Sequence, residues 1–222
     1  MSCAYAKLNV KITGSDPGVT AEYNGGTHMP FEDYGIMRGI PSVTSVEPSD
    51  STMLSSVLRK IADIYGVFYI RLLRKSAVKL YGEGSEFEIG KAVKLKEGSD
   101  VTVIASGIMV AESVKAYNIL KNDGINARVI DMFTLKPIDK NIIIEAAEET
   151  GAVVTAENHN IINGLASAVS EVLVETKPVP MEKVGVMDLF GQVGKLDYLK
   201  QYYKLTAQDI VSAVKKVVKR KI

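Results

Sequence analysis

From Val101 onward the sequence alternates at short intervals between β-branched apolar runs and stretches with helical spacing. No other feature restricts the fold as strongly. The runs VTVIAS (101–106), ARVIDMF (127–133), AVVTA (152–156) and EKVGVM (182–187) read as strands. Between them lie helical patterns. Val110, Val114, Tyr117 and Leu120 recur at helical spacing after Gly107, and Gly124 supplies a stop. Asp139 is placed to cap KNIIIEAAEETG, and GLASAVSEVLVET (164–176) sets Leu165, Val169, Val172 and Leu173 on one side. Thr206 and Asp209 stand in capping-box spacing ahead of the stripe Ile210, Val214 and Val217. Strands that alternate with helices in this way predict βαβ units, a mostly parallel sheet and helices on both faces.

The first half is less regular. LNVKIT (8–13) alternates like a strand, and the glycine- and proline-bearing residues 14–30 read as a long loop. SVTSVEPS is extended, with Pro48 biasing Glu47 away from helix. Asp50 is placed to cap a helix that runs to about Tyr65, with Met53, Leu54, Val57, Leu58, Ile61 and Ile64 as its apolar stripe. Gly66 ends it, and VFYIRLL (67–73) reads as a buried strand. Residues 81–100 are polar and glycine-containing, as expected of a linker with a short hairpin. The predicted architecture is therefore α/β: an incomplete parallel-sheet domain over 1–80, the linker over 81–100, and a small, mostly parallel α/β domain over 101–222. About three strands and one long helix are too few to cover both faces of the first sheet, so an apolar face would stay exposed unless something else covers it.

Composition narrows the function. A formal net charge of +1 offers no basic field for nucleic acid. The basic ending VKKVVKRKI suits a helix C-terminus. No apolar run approaches the length of a membrane span, and no leader pattern precedes residue 20. One cysteine, Cys3, excludes an internal disulfide and fits a reducing, cytoplasmic setting. Two histidines and one cysteine are too few for a typical zinc site.

The segments GGTHMPFED, GIMRGIP, VEPSD, FYIRLLR, VTVIASG, DMFTLKPID, AENH and FGQVGK…LTAQDIV follow one another in that order. Their series closely resembles the C-terminal half of transketolase, collinearly over nearly the whole chain. The resemblance implies that residues 1–80 are the end of a pyrimidine-binding domain and 101–222 the C-terminal domain. It implies transfer of a two-carbon ketol unit between sugar phosphates, with thiamine diphosphate and Mg bound only in the assembled enzyme and not by this chain alone. It also implies an N-terminal transketolase subunit as partner, within a homodimer through the C-terminal domain or an α2β2 assembly.

Carried over residue by residue, the resemblance makes His28 a substrate-channel histidine and Arg74 the phosphate-binding arginine, with Arg71 as the neighbouring candidate. Neutral imidazole both donates and accepts, and a guanidinium can take a phosphate with two hydrogen bonds. Two positions depart from the family pattern. Asp16 stands where many transketolases have a histidine, and Asn24 where an aspartate commonly meets a donor hydroxyl. Both changes bear on the terminal group of the substrate, since an acid repels a phosphate. The family's proton-relay glutamate and its metal–diphosphate motif match nothing in this sequence. No catalytic residue is therefore assigned within the chain, which is expected to be a fragment, inactive alone.

Other conspicuous residues have plainer expected roles. His159 is expected to be structural or interfacial, Glu32 and Asp33 to favour a helix N-terminus, and Tyr202 and Tyr203 to pack. Two alternatives stand beside the transketolase reading. One is a non-catalytic truncated paralogue acting as an interaction or dimerisation module. The other is a sister enzyme, similar to deoxyxylulose-phosphate synthase or the β-subunit of a 2-oxo acid dehydrogenase.

Overall fold

Two sheets are formed in a computed structural model, which describes residues 1–221. The first has strand order β1-β3-β2-β7, from β1 (Val10–Ser15), β2 (Val43–Val46), β3 (Val67–Leu72) and β7 (Thr134–Lys136). β1, β3 and β2 run parallel, whereas β7 is antiparallel to β2. The second has order β4-β6-β5-β8-β9, from β4 (Val93–Lys96), β5 (Val101–Ala105), β6 (Ala127–Asp131), β8 (Val153–Asn160) and β9 (Met181–Val186). All of its neighbours pair in parallel except β4 with β6.

Helices cover both faces of the second sheet, as the alternation predicts. On one face α4 (Ile108–Asn122) and α8 (Ala207–Val218) bury Met109, Val110 and Leu120 beside Ile210, Val214 and Val217. On the other, α5 (Lys140–Thr150) and α6 (Leu165–Glu175) bury Ile143, Ala147, Leu165 and Val169. The caps are where the sequence places them. Asp139 accepts from the Ile142 amide, Gly151 ends α5 at φ 65°, and Thr206 with Asp209 closes a full capping box.

In the first sheet α3 (Ser51–Asp63) packs Met53, Val57 and Ile61 on Val46, Phe68 and Ile70. Its N-cap Asp50 accepts from the Met53 amide at 2.8 Å. The other face finds cover within the chain. Tyr34 of α2 (Asp33–Arg38) packs with Val43, Val67 and Tyr69, and Cys3 and Ala4 of α1 (Ser2–Tyr5) add to the same cluster. Leu8 and Ile12 at the outer edge stay 46% and 37% accessible, and Ile36 of α2 stays 64% accessible.

Three differences from expectation have physical causes. Residues 81–100 form no hairpin. They hold the single strand β4, while Tyr81 and Phe87 bury their rings in the α3 cluster, so the segment is packed at both ends. Residues 14–30 are more ordered than a loop, because β1 extends to Ser15 and two 3-10 turns follow, Gly18–Asn24 and Gly26–His28. Third, β7, downstream of residue 100, joins the first sheet rather than the second. Among the described residues no helix is long and apolar enough to cross a membrane.

Candidate functional site

β1 ends beside β3, and the Asp16 amide donates to the Leu72 carbonyl at 2.8 Å, one step beyond the sheet register. Asp16 takes φ 55°, a left-handed conformation that aspartate tolerates better than most residues. Its carboxylate is turned inward, only 4% of the residue remaining accessible. Oδ1 accepts from the Arg74 amide at 3.1 Å, and Oδ2 pairs with Arg74 Nε.

The chain then crosses to the second domain and back. Asn158, at the end of β8, donates through Nδ2 to the Pro17 carbonyl and accepts at Oδ1 from the Val19 amide, both at 2.9 Å. The Gly18 amide closes the loop on the Pro30 carbonyl at 2.9 Å. Met29 and Phe31, on either side of Pro30, are buried in the core beneath α4 and α8. The polar turn between these anchors is thereby held out to solvent on a fixed base. His28 sits at its tip, exposed, with Nδ1 2.9 Å from Thr27 Oγ1.

Asp16, Asn24, His28 and Arg74 all line one groove, together with Ser15, Thr27 and Glu32. Four residues spread over 59 positions of sequence thus converge on a single surface feature. Arg71 is not among them. It is wholly buried, and its Nε donates to Asp33 Oδ2 at 3.0 Å, its Nη1 to Glu47 Oε1 at 2.5 Å and its Nη2 to the Asn158 carbonyl at 2.8 Å. Arg71 is therefore the centre of a buried ion-pair cluster, and of residues 71 and 74 it is Arg74 that lines this groove.

The Arg71 network went unread in the sequence. Glu47 also accepts from Ser106 Oγ at 2.8 Å, joining the end of β2 to the end of β5. Asp33 does more than favour a helix N-terminus, since it also accepts from Tyr69 at 2.6 Å. Burial opposes ionisation of Asp33, but the Arg71 guanidinium and these hydrogen bonds hold its pKa below the ordinary aspartate value. Burial likewise opposes the charge on Arg71, and Asp33 and Glu47 outweigh it. The one available signal was an arginine inside an otherwise apolar strand, VFYIRLL, since a charge there needs buried acids around it.

His159 lies in the same interface. The Gly35 amide donates to its Nε2 at 3.2 Å, so Nδ1 carries the proton and donates to the Asn160 carbonyl at 2.7 Å. Burial, then the nearby Arg71, lowers its pKa to about 4, which keeps the ring neutral. Glu157 is also buried, and it accepts from the Leu165 and Ala166 amides at the start of α6 at 2.6 and 2.8 Å. Burial pushes its pKa up to about 8 despite those two bonds. Tyr203 is buried edge-on against Phe31, whereas Tyr202 is partly exposed.

Among the described residues no three His, Cys, Asp or Glu side chains come together as a metal site. The donor set of the groove, one imidazole, one guanidinium and one amide, suits the hydroxyls and anionic end of a polar substrate. It does not by itself fit a diphosphate with its cation.

Fold and groove together define a two-sheet α/β protein, its sheets joined by hydrogen bonds from a buried ion-pair cluster, with a groove lined by Asp16, Asn24, His28 and Arg74. A family model described as "Transketolase, C-terminal domain" matches residues 90–210. The 6-deoxy-6-sulfo-D-fructose transketolase subunit of Clostridium sp. (strain MSTE9) is 52% identical over 221 residues, covering 100% of this chain and 69% of that protein. A subunit of the apulose-4-phosphate transketolase of Phocaeicola vulgatus is 34% identical, covering 98% of this chain and 70% of that protein. A solved split-gene transketolase, an inactive beta4 tetramer, superposes with a TM-score of 0.93 at 44% identity over 99% of this chain and 70% of that one. The chain belongs to the transketolase family and corresponds to its C-terminal section.

Proposed function

We propose that this chain is the substrate-side subunit of a split transketolase that works with an N-terminal partner subunit. The carrying observation is the convergence of Asn24, His28, Asp16 and Arg74 on one groove. In the reaction the C2–C3 bond of a ketose donor breaks, and the two-carbon ketol unit forms a new bond to the aldehyde carbon of an acceptor. The donor leaves as an aldose two carbons shorter, with no net oxidation. Thiamine diphosphate and Mg are held outside these residues, by the partner and by the part of the longer relatives that this chain does not span.

The chain's own residues bind and orient. His28 and Asn24 hydrogen-bond sugar hydroxyls, and Arg74 takes the anionic terminus. On this reading residues 1–80 belong to a pyrimidine-binding domain and 101–222 form the C-terminal domain. The relatives' names indicate that the terminus varies: one is named for a sulfonated ketose and another for a sugar phosphate.

The test mixes this chain with a thiamine-binding N-terminal subunit, thiamine diphosphate and Mg, and measures ketol transfer from 6-deoxy-6-sulfofructose and from xylulose 5-phosphate. Transfer by the mixture and none by the chain alone is expected. Turnover by the isolated chain would show that the cofactor-handling groups lie within these residues. No transfer from any ketose by the mixture would leave a non-catalytic module.

A further inference from the structure

The groove that the proposed function assigns to the substrate carries its cation already matched. Asp16 puts both carboxylate oxygens on Arg74, one on the backbone amide and one on Nε. This acid is buried, so water screens it weakly. Arg74 is largely exposed, and among the described residues no bond reaches its Nη1 or Nη2. The guanidinium therefore keeps two donors for a ligand while its charge is offset from behind. The neighbouring cation, Lys75, is paired with Glu22. Glu32, also lining the groove, adds a second acid. His28 contributes hydrogen bonding, with Nδ1 engaged by Thr27 and Nε2 left for the groove.

We infer that Asp16 is a specificity-determining residue: by offsetting Arg74 it fits the groove to a sugar with a monoanionic sulfonate terminus and disfavours a dianionic phosphate terminus. The inference rests on the reading of the groove as the substrate site. Sulfonate and phosphate present the same three-oxygen head, so the hydrogen bonds from Arg74 and His28 separate them poorly. Charge separates them. A phosphate monoester carries roughly −1.5 to −2 at pH 7, whereas a sulfonate carries a single charge. The additional negative charge of the phosphate faces Asp16 and Glu32 with no unmatched cation to receive it. At the few ångströms separating such groups, one extra unit of charge in a partly solvated site changes affinity on the order of tenfold.

The experiment compares 6-deoxy-6-sulfofructose with fructose 6-phosphate in two arms. In the binding arm, the chain is titrated with each sugar while the His28 ring protons are followed by NMR. In the catalytic arm, the assembled two-subunit enzyme gives KM and kcat for each. Wild type is expected to bind the sulfonate about tenfold more tightly. Asp16→Asn keeps the left-handed conformation and the hydrogen-bonding shape while removing the charge. It is expected to lower the Kd and KM of the phosphate about tenfold, bringing the ratio near unity. Tighter phosphate binding by wild type, or a ratio that Asp16→Asn does not move, would overturn the inference. So would binding of neither sugar. Absence of ketol transfer alongside the expected binding ratio would instead overturn the catalytic reading and leave the charge selection standing. If Asp16→Asn fails to fold, the wild-type ratio alone decides.

Discussion

Nη2 of Arg71, in the middle of the first sheet, donates to the carbonyl of Asn158 at the end of β8 in the second, at 2.8 Å. Asn158 in turn holds Pro17 and Val19, the start of the loop that carries His28. One buried cation thus links the two sheets to the base of the groove. The carboxyl ends of parallel strands are where open α/β sheets ordinarily receive ligands. Here the ends of β5 and β8 receive Glu47 and the Pro17–Val19 segment instead. The second domain thereby supports the base of the loop that carries His28.

Replacing Arg71 with methionine leaves Asp33 and Glu47 buried without their cation. Removing one partner of such a cluster costs about 3–5 kcal/mol, because the remaining charges stay desolvated. Arg71→Lys should recover only part of this, since one ammonium cannot reach Asp33, Glu47 and the Asn158 carbonyl at once. Urea unfolding of both variants measures it. A methionine variant within ~1 kcal/mol of wild type would show that the cluster contributes little to stability.

Asp131 makes stability depend on pH. It is fully buried, it accepts from Tyr81 at 2.7 Å, and burial raises its pKa to about 7 from 3.8. A carboxyl with a raised folded-state value favours folding fully below its unfolded value and loses that contribution as pH rises through the folded one. The loss falls between about pH 4 and 7 and is on the order of 2–4 kcal/mol. Asp131→Asn still accepts from Tyr81 but cannot ionise. Urea midpoints of variant and wild type should agree near pH 4 and diverge in the variant's favour by pH 8. A constant difference across that range would rule out Asp131 as the titrating group. His159 acts in the opposite sense, its contribution being lost as pH falls from 6.5 through about 4.

Much of the second domain was legible in the sequence because each signal there is local. Asp139, Gly151, Thr206 and Asp209 act within one helical turn, and a stripe such as Ile210, Val214 and Val217 needs only its own spacing to be recognised. The first domain and the linker were harder, for reasons visible in particular residues. Val93–Lys96 pairs with a strand more than 30 residues later, and Thr134–Lys136 pairs backward across the domain boundary. No local pattern encodes either partner. The groove residues were named from family resemblance, yet the Asp16–Arg74 pair was not foreseen, because a contact across 58 positions leaves no mark on spacing. Glu47 and Asn158 read as ordinary loop and strand-end polars until their partners were known.

Gly18 lies close against the second domain. Its φ is 54°, and a Cβ there would lie 2.6 Å from the Asn158 carbonyl oxygen. Gly18→Ala therefore combines a disfavoured backbone with a clash against main chain, and about 2–3 kcal/mol of destabilisation is expected. The loop carrying His28 should shift with it, so KM should rise in the assembled enzyme. A variant unchanged in both unfolding midpoint and KM would mean that the loop accommodates the methyl group.

The two histidines should separate binding from stability. His28 is exposed and, among the described residues, its side chain bonds only to its neighbour Thr27, whereas His159 is buried with both ring nitrogens engaged. His28→Ala should leave the unfolding midpoint within ~0.5 kcal/mol of wild type, as surface substitutions do. In the assembled enzyme it should lower kcat/KM about tenfold, the worth of a hydrogen bond to a charged or strongly polar substrate group, chiefly through KM. His159→Ala leaves the Gly35 amide and the Asn160 carbonyl without partners in a buried site, at a cost of about 1–3 kcal/mol. Its KM at a temperature where it remains folded should match wild type. Steady-state kinetics and urea unfolding on both variants decide the matter. If His28→Ala changes only stability, or His159→Ala changes only KM, the groove has been placed at the wrong histidine.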